Sequence, residues 1–448
     1  MADLIQATAD FLFIPILVVV LFGAGLFLTV RLGAVQVRRF GDAVRVFFAR
    51  PDRGAAGALT PFQAFMTALA ATIGTGNVAG VAAGIVSGGP GALFWIWCYG
   101  FFATSIKFSE AVLGITFRST RDGQLGSGPM YYLRDGLRSP ALAMAYAVVA
   151  GVAALTTTPF TQTNSIALVW NTQLGVPKWV TGLAVAVLTW LVIIGGIKSI
   201  GRAAAKLTPL KVILYLTSGL FVIAWFASNI PSVLALVFRE AFSLRAGAGG
   251  TLGILIAMRY GLARGLYANE AGYGTAAVAY ATAQSTRPVQ QGLNAVMETF
   301  IVSFGTSTIT ALTVLLTGAY LSGQTSTAAV AMAFNAAIPG GIGGLIVVFC
   351  VFLFGYTTLI GWAFYGEEFL KYWLGQRVVM PYRWIYCLLI PFGAITRVDV
   401  VWAWGDLMNA LQIFPNIVGV LGLSGLVAKI ARERSTERVA PARATNLK

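Results

Sequence analysis

The chain of 448 residues has no histidine and only three cysteines. Without histidine it lacks the commonest general base and the commonest ligand of haem iron and catalytic zinc, which argues against a membrane-bound enzyme. Cys98, Cys350 and Cys387 lie far apart within apolar segments. They therefore indicate neither a disulfide framework nor a thiolate metal site, and read as small hydrophobes. Charge is scarce as well: 10% of residues are charged against 57% hydrophobic, with a mean hydropathy of +0.78. Such a composition excludes an ordinary soluble domain and describes a polytopic membrane protein.

Apolar runs predict eleven spans, at roughly 11–31, 60–86, 90–117, 140–170, 177–197, 209–229, 250–282, 289–320, 340–373, 380–396 and 400–428. The opening "MADLIQATAD" has no basic stretch, and Phe11 to Val30 is long enough to cross a bilayer. It reads as a retained helix rather than a cleaved signal. With the N-terminus outside, all but six of the 31 Lys and Arg residues fall on the cytoplasmic side, the six being Lys178, Arg239, Arg245, Arg259, Arg264 and Arg397. Residues from Lys198 to Lys211 count among the cytoplasmic cations. This bias predicts the N-terminus outside and the C-terminus in the cytoplasm. The net charge of +15 then reflects topology plus a polar tail, "RERSTERVAPARATNLK", that reads as disordered, and implies no nucleic-acid partner.

Two spans carry poor helix formers at their centres. One is "ATIGTGNVAG", Ala71 to Gly80; the other, "ARGLYANEAGYGTAAVAYA", holds Asn269, Glu270, Gly272, Gly274 and Thr275. They lie five spans apart, so they run in opposite directions, as an inverted repeat of five helices demands. The division this predicts is 1–59 for an extra helix and a basic loop, 60–229 for the first repeat, 230–249 for an extracellular connector, 250–428 for the second repeat and 429–448 for a cytoplasmic tail. A break at mid-membrane exposes backbone N–H and C=O groups that lipid cannot satisfy, and survives only where it lines a cavity or ligand. Half-helix N-termini suit a carboxylate and unwound carbonyls a hard cation, so the pair predicts a site for an anionic group beside a metal ion. Gly80 and Gly84 read equally as close-packing residues, and "GGPG" as a tight turn.

Buried charge costs roughly 2.5–3.5 kcal/mol per residue on insertion scales, so Glu270 and Glu298 should be paired or functional. For Glu270 the expected partner is Arg264 or Arg259. Lys107 and Glu110, three apart, read as a pair on one helix face, and Lys371 as the partner of Glu367 and Glu368. Thr357 and Thr358 either bond back to their own helix or serve a ligand.

The motifs "GTGNVAG", "GGPGALFWIW", "GPMYYL", "NEAGYGTA" with "STRPVQQGL", "TTLIGWAFYGEE" and "DLMNALQIFPN" resemble the alanine/glycine:cation symporter family, from about Phe11 to Leu426. The resemblance implies an all-α LeuT-type five-plus-five inverted-repeat transporter with one extra N-terminal helix. Its implied activity is sodium-coupled import of small neutral amino acids, alanine and glycine, across a prokaryotic plasma membrane. Serine, glutamine or proline as substrate, proton coupling, and a channel or ligand sensor on the same fold are the alternatives. Neutral oxygens bind sodium without titrating, which favours sodium over a proton.

By the same resemblance the substrate carboxylate would meet backbone N–H groups near Thr75, Gly76 and Asn77 and be contacted again around Asn269 and Gly272. Gln162 and Phe160 of "TTTPFTQTNSIA", with Thr358, would line the pocket, and Trp362 would cap the substrate side chain. A sodium cage would combine Thr357 and Thr358 with carbonyls near Ala70 and Ile73, with Asn77 at a second ion site. Tyr273 and Pro159 depart from the family pattern and point to a reshaped pocket, and Glu298, where the family would place Asp, bears on the number of ions carried. Oligomeric state is left open.

Overall fold

The computed structural model describes residues 18–47, 52, 55–119, 125–244 and 253–433. The beginning of the first predicted span, and the polar tail beyond Glu433, lie outside the described residues. Those described form helices joined by turns, with two isolated β-bridges, Leu59 to Ala283 and Ser119 to Gly126.

In chain order the principal helices are α1 (Val18–Arg31), α2 (Pro61–Thr72), α3 (Ala79–Gly88), α4 (Ala92–Thr116), α5 (Pro140–Thr156), α6 (Thr158–Leu174), α7 (Lys178–Ile193), α8 (Gly196–Trp225) and α9 (Ile230–Ala241). The second half comprises α10 (Gly253–Asn269), α11 (Thr275–Ala281), α12 (Pro288–Phe300), α13 (Ser307–Leu316), α14 (Ser326–Ala337), α15 (Ile342–Leu374), α16 (Val379–Ile395), α17 (Val398–Gly422) and α18 (Ser424–Glu433). By length and apolarity alone, five continuous helical runs among the described residues can cross a membrane: Pro140–Leu174, Gly196–Trp225, Pro288–Leu316, Ile342–Leu374 and Gln376–Ile395. The number rises to 7 if two bent pairs each count as one span. Helices α1 and α7 are apolar but shorter. Helices α4 and α10 are the ones that carry Lys107 with Glu110 and Arg259 with Arg264.

Both predicted breaks are present. Helix α2 starts with a capping box, Thr60 accepting from the Gln63 N–H while the Gln63 side chain accepts from Thr60, and Pro61 occupies the first turn. It stops at Thr72, and the chain re-enters a short 3₁₀ turn, Thr75–Asn77, before α3; the two halves are bent by 59°. The second break lies between α10 and α11, where Glu270, Gly272 and Gly274 take φ of +56°, +97° and +82°. Only glycine adopts that region without strain, so Glu270 is a strained exception. The first break is followed by α4, α5–α6, α7 and α8, and the second by α12–α13, α14, α15, α16 and α17. Helix α9 stands between the two sets.

One correction concerns α8. The expected cytoplasmic stretch Lys198 to Lys211 is helical throughout, because α8 runs on through Pro209. Lys211 is thereby carried into the protein interior with 0% exposure. "GGPG" makes the expected turn, with Gly89 at φ +72°. At one end of the molecule the two broken spans are stitched together. Ala58 and Leu59 N–H both donate to Thr282 O, at 2.9 and 3.0 Å, and Gln284 N–H donates to Leu59 O at 2.8 Å. Arg118 adds bonds from its guanidinium to the carbonyls of Ala281, Ala283 and Ser285.

Candidate functional site

Two broken spans produce four helix ends inside the protein, two with orphan carbonyls and two with orphan N–H groups. At the C-terminal end of α2, Lys211 from α8 donates to Ala70 O at 3.1 Å and Ile73 O at 2.6 Å. At the C-terminal end of α10, Lys107 from α4 donates to Asn269 O at 2.6 Å. A cation at each of these ends answers the negative pole of its half-helix. At the N-terminal side of α11, the Glu110 carboxylate accepts from Gly272 N–H at 2.9 Å and Gly274 N–H at 3.1 Å. Asn416 secures it with a bond of 2.7 Å. The fourth end differs: Thr75 N–H, entering the 3₁₀ turn, donates at 2.9 Å to the amide oxygen of Gln162, a neutral group.

These contacts revise several expectations. Lys107 and Glu110 do not neutralise each other along α4. Lys107 instead pairs with Glu298 of α12 at 2.6 Å, because its ammonium must also reach Asn269 O and Thr72 Oγ1. Glu298 further accepts from Thr72 and from Tyr280. Glu270 pairs with neither Arg264 nor Arg259; it accepts from the Trp362 indole at 2.7 Å and from Thr275 at 3.1 Å. The two arginines lie over the rings of Trp402 and Tyr260. Glu367 pairs with Arg383, leaving Lys371 to Glu368.

Around the first break the structure brings together Gly74, Thr75, Gln162 and Thr358. A Cβ on Gly74 would stand 2.6 Å from Thr358 Oγ1 and 3.0 Å from Gln162 Oε1, so glycine is required for the close approach. Gly76 is similarly covered by the Tyr267 ring. Asn77 is fully buried, its amide bonded to Thr72 O at 3.0 Å and Ala268 O at 3.4 Å and approached by the hydroxyls of Thr306 and Ser307. Thr310 donates to Asn77 O at 2.8 Å. A π-helical segment, Ile301–Thr306, delivers the first of these hydroxyls and lets Ser303 meet Asn269; such bulges often mark functional sites. Thr306, Ser307 and Thr310 were not singled out from the sequence, although "GTSTIT" is a dense run of hydroxyls in an apolar span.

Other residues lie elsewhere. Gly272 faces Leu21 and Ile413, away from the first break, and its N–H belongs to Glu110. Phe160 has its backbone packed at Gly393 of α16. Tyr273 and Trp362 meet edge to face with centroids 6.3 Å apart. Tyr273 Oη and Thr75 Oγ1 are buried hydroxyls with no hydrogen-bond partner.

Of the expected sodium cage, Ala70 O, Ile73 O and Thr357 Oγ1 do converge, but on the Lys211 ammonium, with Thr357 Oγ1 at 2.5 Å. Thr358 donates to Ala70 O and Ala71 O, and Thr357 also lies within reach of Ala70 O and of its own helix at Phe354 O.

Comparison with known proteins accounts for this architecture. The sodium/alanine symporter AgcS of Methanococcus maripaludis is 38% identical over 95% of this chain and 95% of its own length. A putative sodium/proton-dependent alanine carrier protein of Bacillus subtilis, YrbD, is 30% identical over 95% of this chain and 90% of its own. Among solved structures, MhsT in complex with L-phenylalanine superposes with a TM-score of 0.57 over 85% of this chain and 99% of its own, at 12% identity, a likeness of LeuT-type fold alone. A family model described as the sodium:alanine symporter family matches residues 1–445. The chain is thus a multi-pass membrane transporter, and it belongs to the sodium:alanine symporter family.

Proposed function

We propose that this chain imports small neutral amino acids, alanine and glycine first among them, together with sodium. Cation-coupled amino-acid symport is the activity of its family; substrate and ion are the added reading. One observation carries it: three of the four interior helix ends are met by charged side chains of the chain itself, whereas Thr75 N–H is met by an uncharged amide. A carboxylate gains about twice what a neutral acceptor gains from such an end, so the substrate displaces Gln162 there and leaves that amide free to bond it.

Sodium is assigned to the Asn77 amide oxygen and the hydroxyls of Thr306 and Ser307 that approach it, at 3.4 and 3.3 Å. All are neutral oxygens of the kind a small hard cation prefers, and they adjoin the carboxylate position in sequence. Trp362, fixed by Glu270, and Tyr273 close the side-chain end and favour small substrates. The two five-helix sets form an inverted repeat, 60–229 and 250–428, which rocks around this site, with the N-terminus outside and the C-terminus in the cytoplasm.

The test is uptake of labelled alanine and glycine into proteoliposomes under an inward sodium gradient, equal sodium, or a proton gradient alone. Accumulation only with the sodium gradient, lost in Asn77→Ala, is the expected result. Accumulation driven by protons would replace the ion; accumulation of neither amino acid would send the question to serine, glutamine and proline.

A further inference from the structure

By sequence Lys211 belongs with the cytoplasmic loop charges, and the symport reading has no use for it. It is nonetheless one of the most deeply buried side chains in the molecule. Its ammonium has three N–H donors and meets three oxygens: Ile73 O at 2.6 Å, Ala70 O at 3.1 Å and Thr357 Oγ1 at 2.5 Å. The Phe354 ring lies 5.3 Å from the same nitrogen. Every donor is therefore satisfied, and every oxygen that would bind a metal ion there already serves a positive charge.

Ala70, Ile73 and Thr357 are the residues expected to cage sodium. The structure does not fit that expectation, since an ammonium and a sodium ion cannot share three oxygens. Thr358, the remaining candidate, points its hydroxyl to Ala70 O and Ala71 O. We propose that the ammonium of Lys211 is the permanent occupant of this cage, a cation tethered to α8, and that no sodium ion enters it. Resting on the sodium reading above, the assignment means that one sodium ion, at Asn77, accompanies each amino acid. The cage oxygens belong to the end of α2, so the tethered cation holds the first half-helix in its broken form whether or not any ion is being carried.

The experiment is binding of radioactive sodium to the purified full-length protein in detergent, counted per chain, for the wild type and three variants. One ion is expected for the wild type and none for Asn77→Ala. Lys211→Ala, which empties the cage while leaving its oxygens, is expected to bind two. Thr357→Val is expected to keep the wild-type value, because that hydroxyl serves Lys211, and it decides the matter should Lys211→Ala fail to elute as a folded species. Two ions on the wild type, loss of an ion in Thr357→Val, or a folded Lys211→Ala that gains none would overturn the assignment. A wild type that binds none, with one ion gained in Lys211→Ala, upholds the tethered cation and removes the sodium symport reading instead.

Discussion

At the first break a neutral amide oxygen from Gln162 meets one N–H, that of Thr75, whereas at the second the Glu110 carboxylate meets two, those of Gly272 and Gly274. The carbonyl ends of both breaks are alike in taking a lysine, Lys211 or Lys107. Two regions of similar design thus diverge at a single element. The second is internally complete, a structural joint whose every pole is neutralised. The first lacks one negative charge, the deficit that the proposed function assigns to a substrate carboxylate.

The strongest way to break this comparison is to damage the joint. Lys107→Met strands Glu298 without its cation and Asn269 O without its donor, and should cost about 3–5 kcal/mol of stability. Thermal unfolding in detergent checks it; a loss below about 1 kcal/mol would mean that Lys107 is not needed there. Next in size, Gln162→Glu makes the first break resemble the second. It should weaken alanine binding about 10- to 100-fold, the worth of one charged hydrogen bond of roughly 1.5–3 kcal/mol, while leaving the melting temperature unchanged. Alanine bound as tightly as by the wild type would show that the Thr75 amide is not where its carboxylate sits.

Glu110→Gln sharpens the other half. A neutral amide at Gly272 and Gly274 should lower stability by about 1–2 kcal/mol and change alanine affinity less than about threefold. Collapse of alanine binding in a folded protein would return the second break to the substrate site. The smallest effect belongs to Tyr273→Phe. Its hydroxyl has no partner, so removal should be neutral or stabilise by up to about 1 kcal/mol. Alanine uptake should stay within about twofold, and competition by serine should fall if that hydroxyl reads polar side chains.

Much of this was legible in the sequence because the bilayer leaves few options. A run such as "GTGN" in an apolar span has to be a break, and two breaks five spans apart point to the fold. Which helix ends meet a charged side chain and which meets a neutral one was not legible. Lys107 and Glu110 are three apart, and sequence spacing sees only that neighbour, while Glu298, Gly272 and Asn416 arrive from distant segments. Lys211 escapes for a related reason: it stands at the start of the predicted span 209–229, close enough to the loop to be counted with the cations before it. The signal was there, a lone cation followed by "VILYLTSGLFVIAW", which a membrane helix does not carry without purpose.

The backbone stitch between Leu59 and Thr282–Gln284 joins the start of the first broken span to the end of the second, whose carbonyls the Arg118 guanidinium also holds. Each hydrogen bond in it nets only about 0.5–1.5 kcal/mol, since water takes the partners when it opens. The stitch is therefore a fastening made of small parts: together its bonds fix the start of one broken span to the end of the other, and singly each is exchanged for water at little cost.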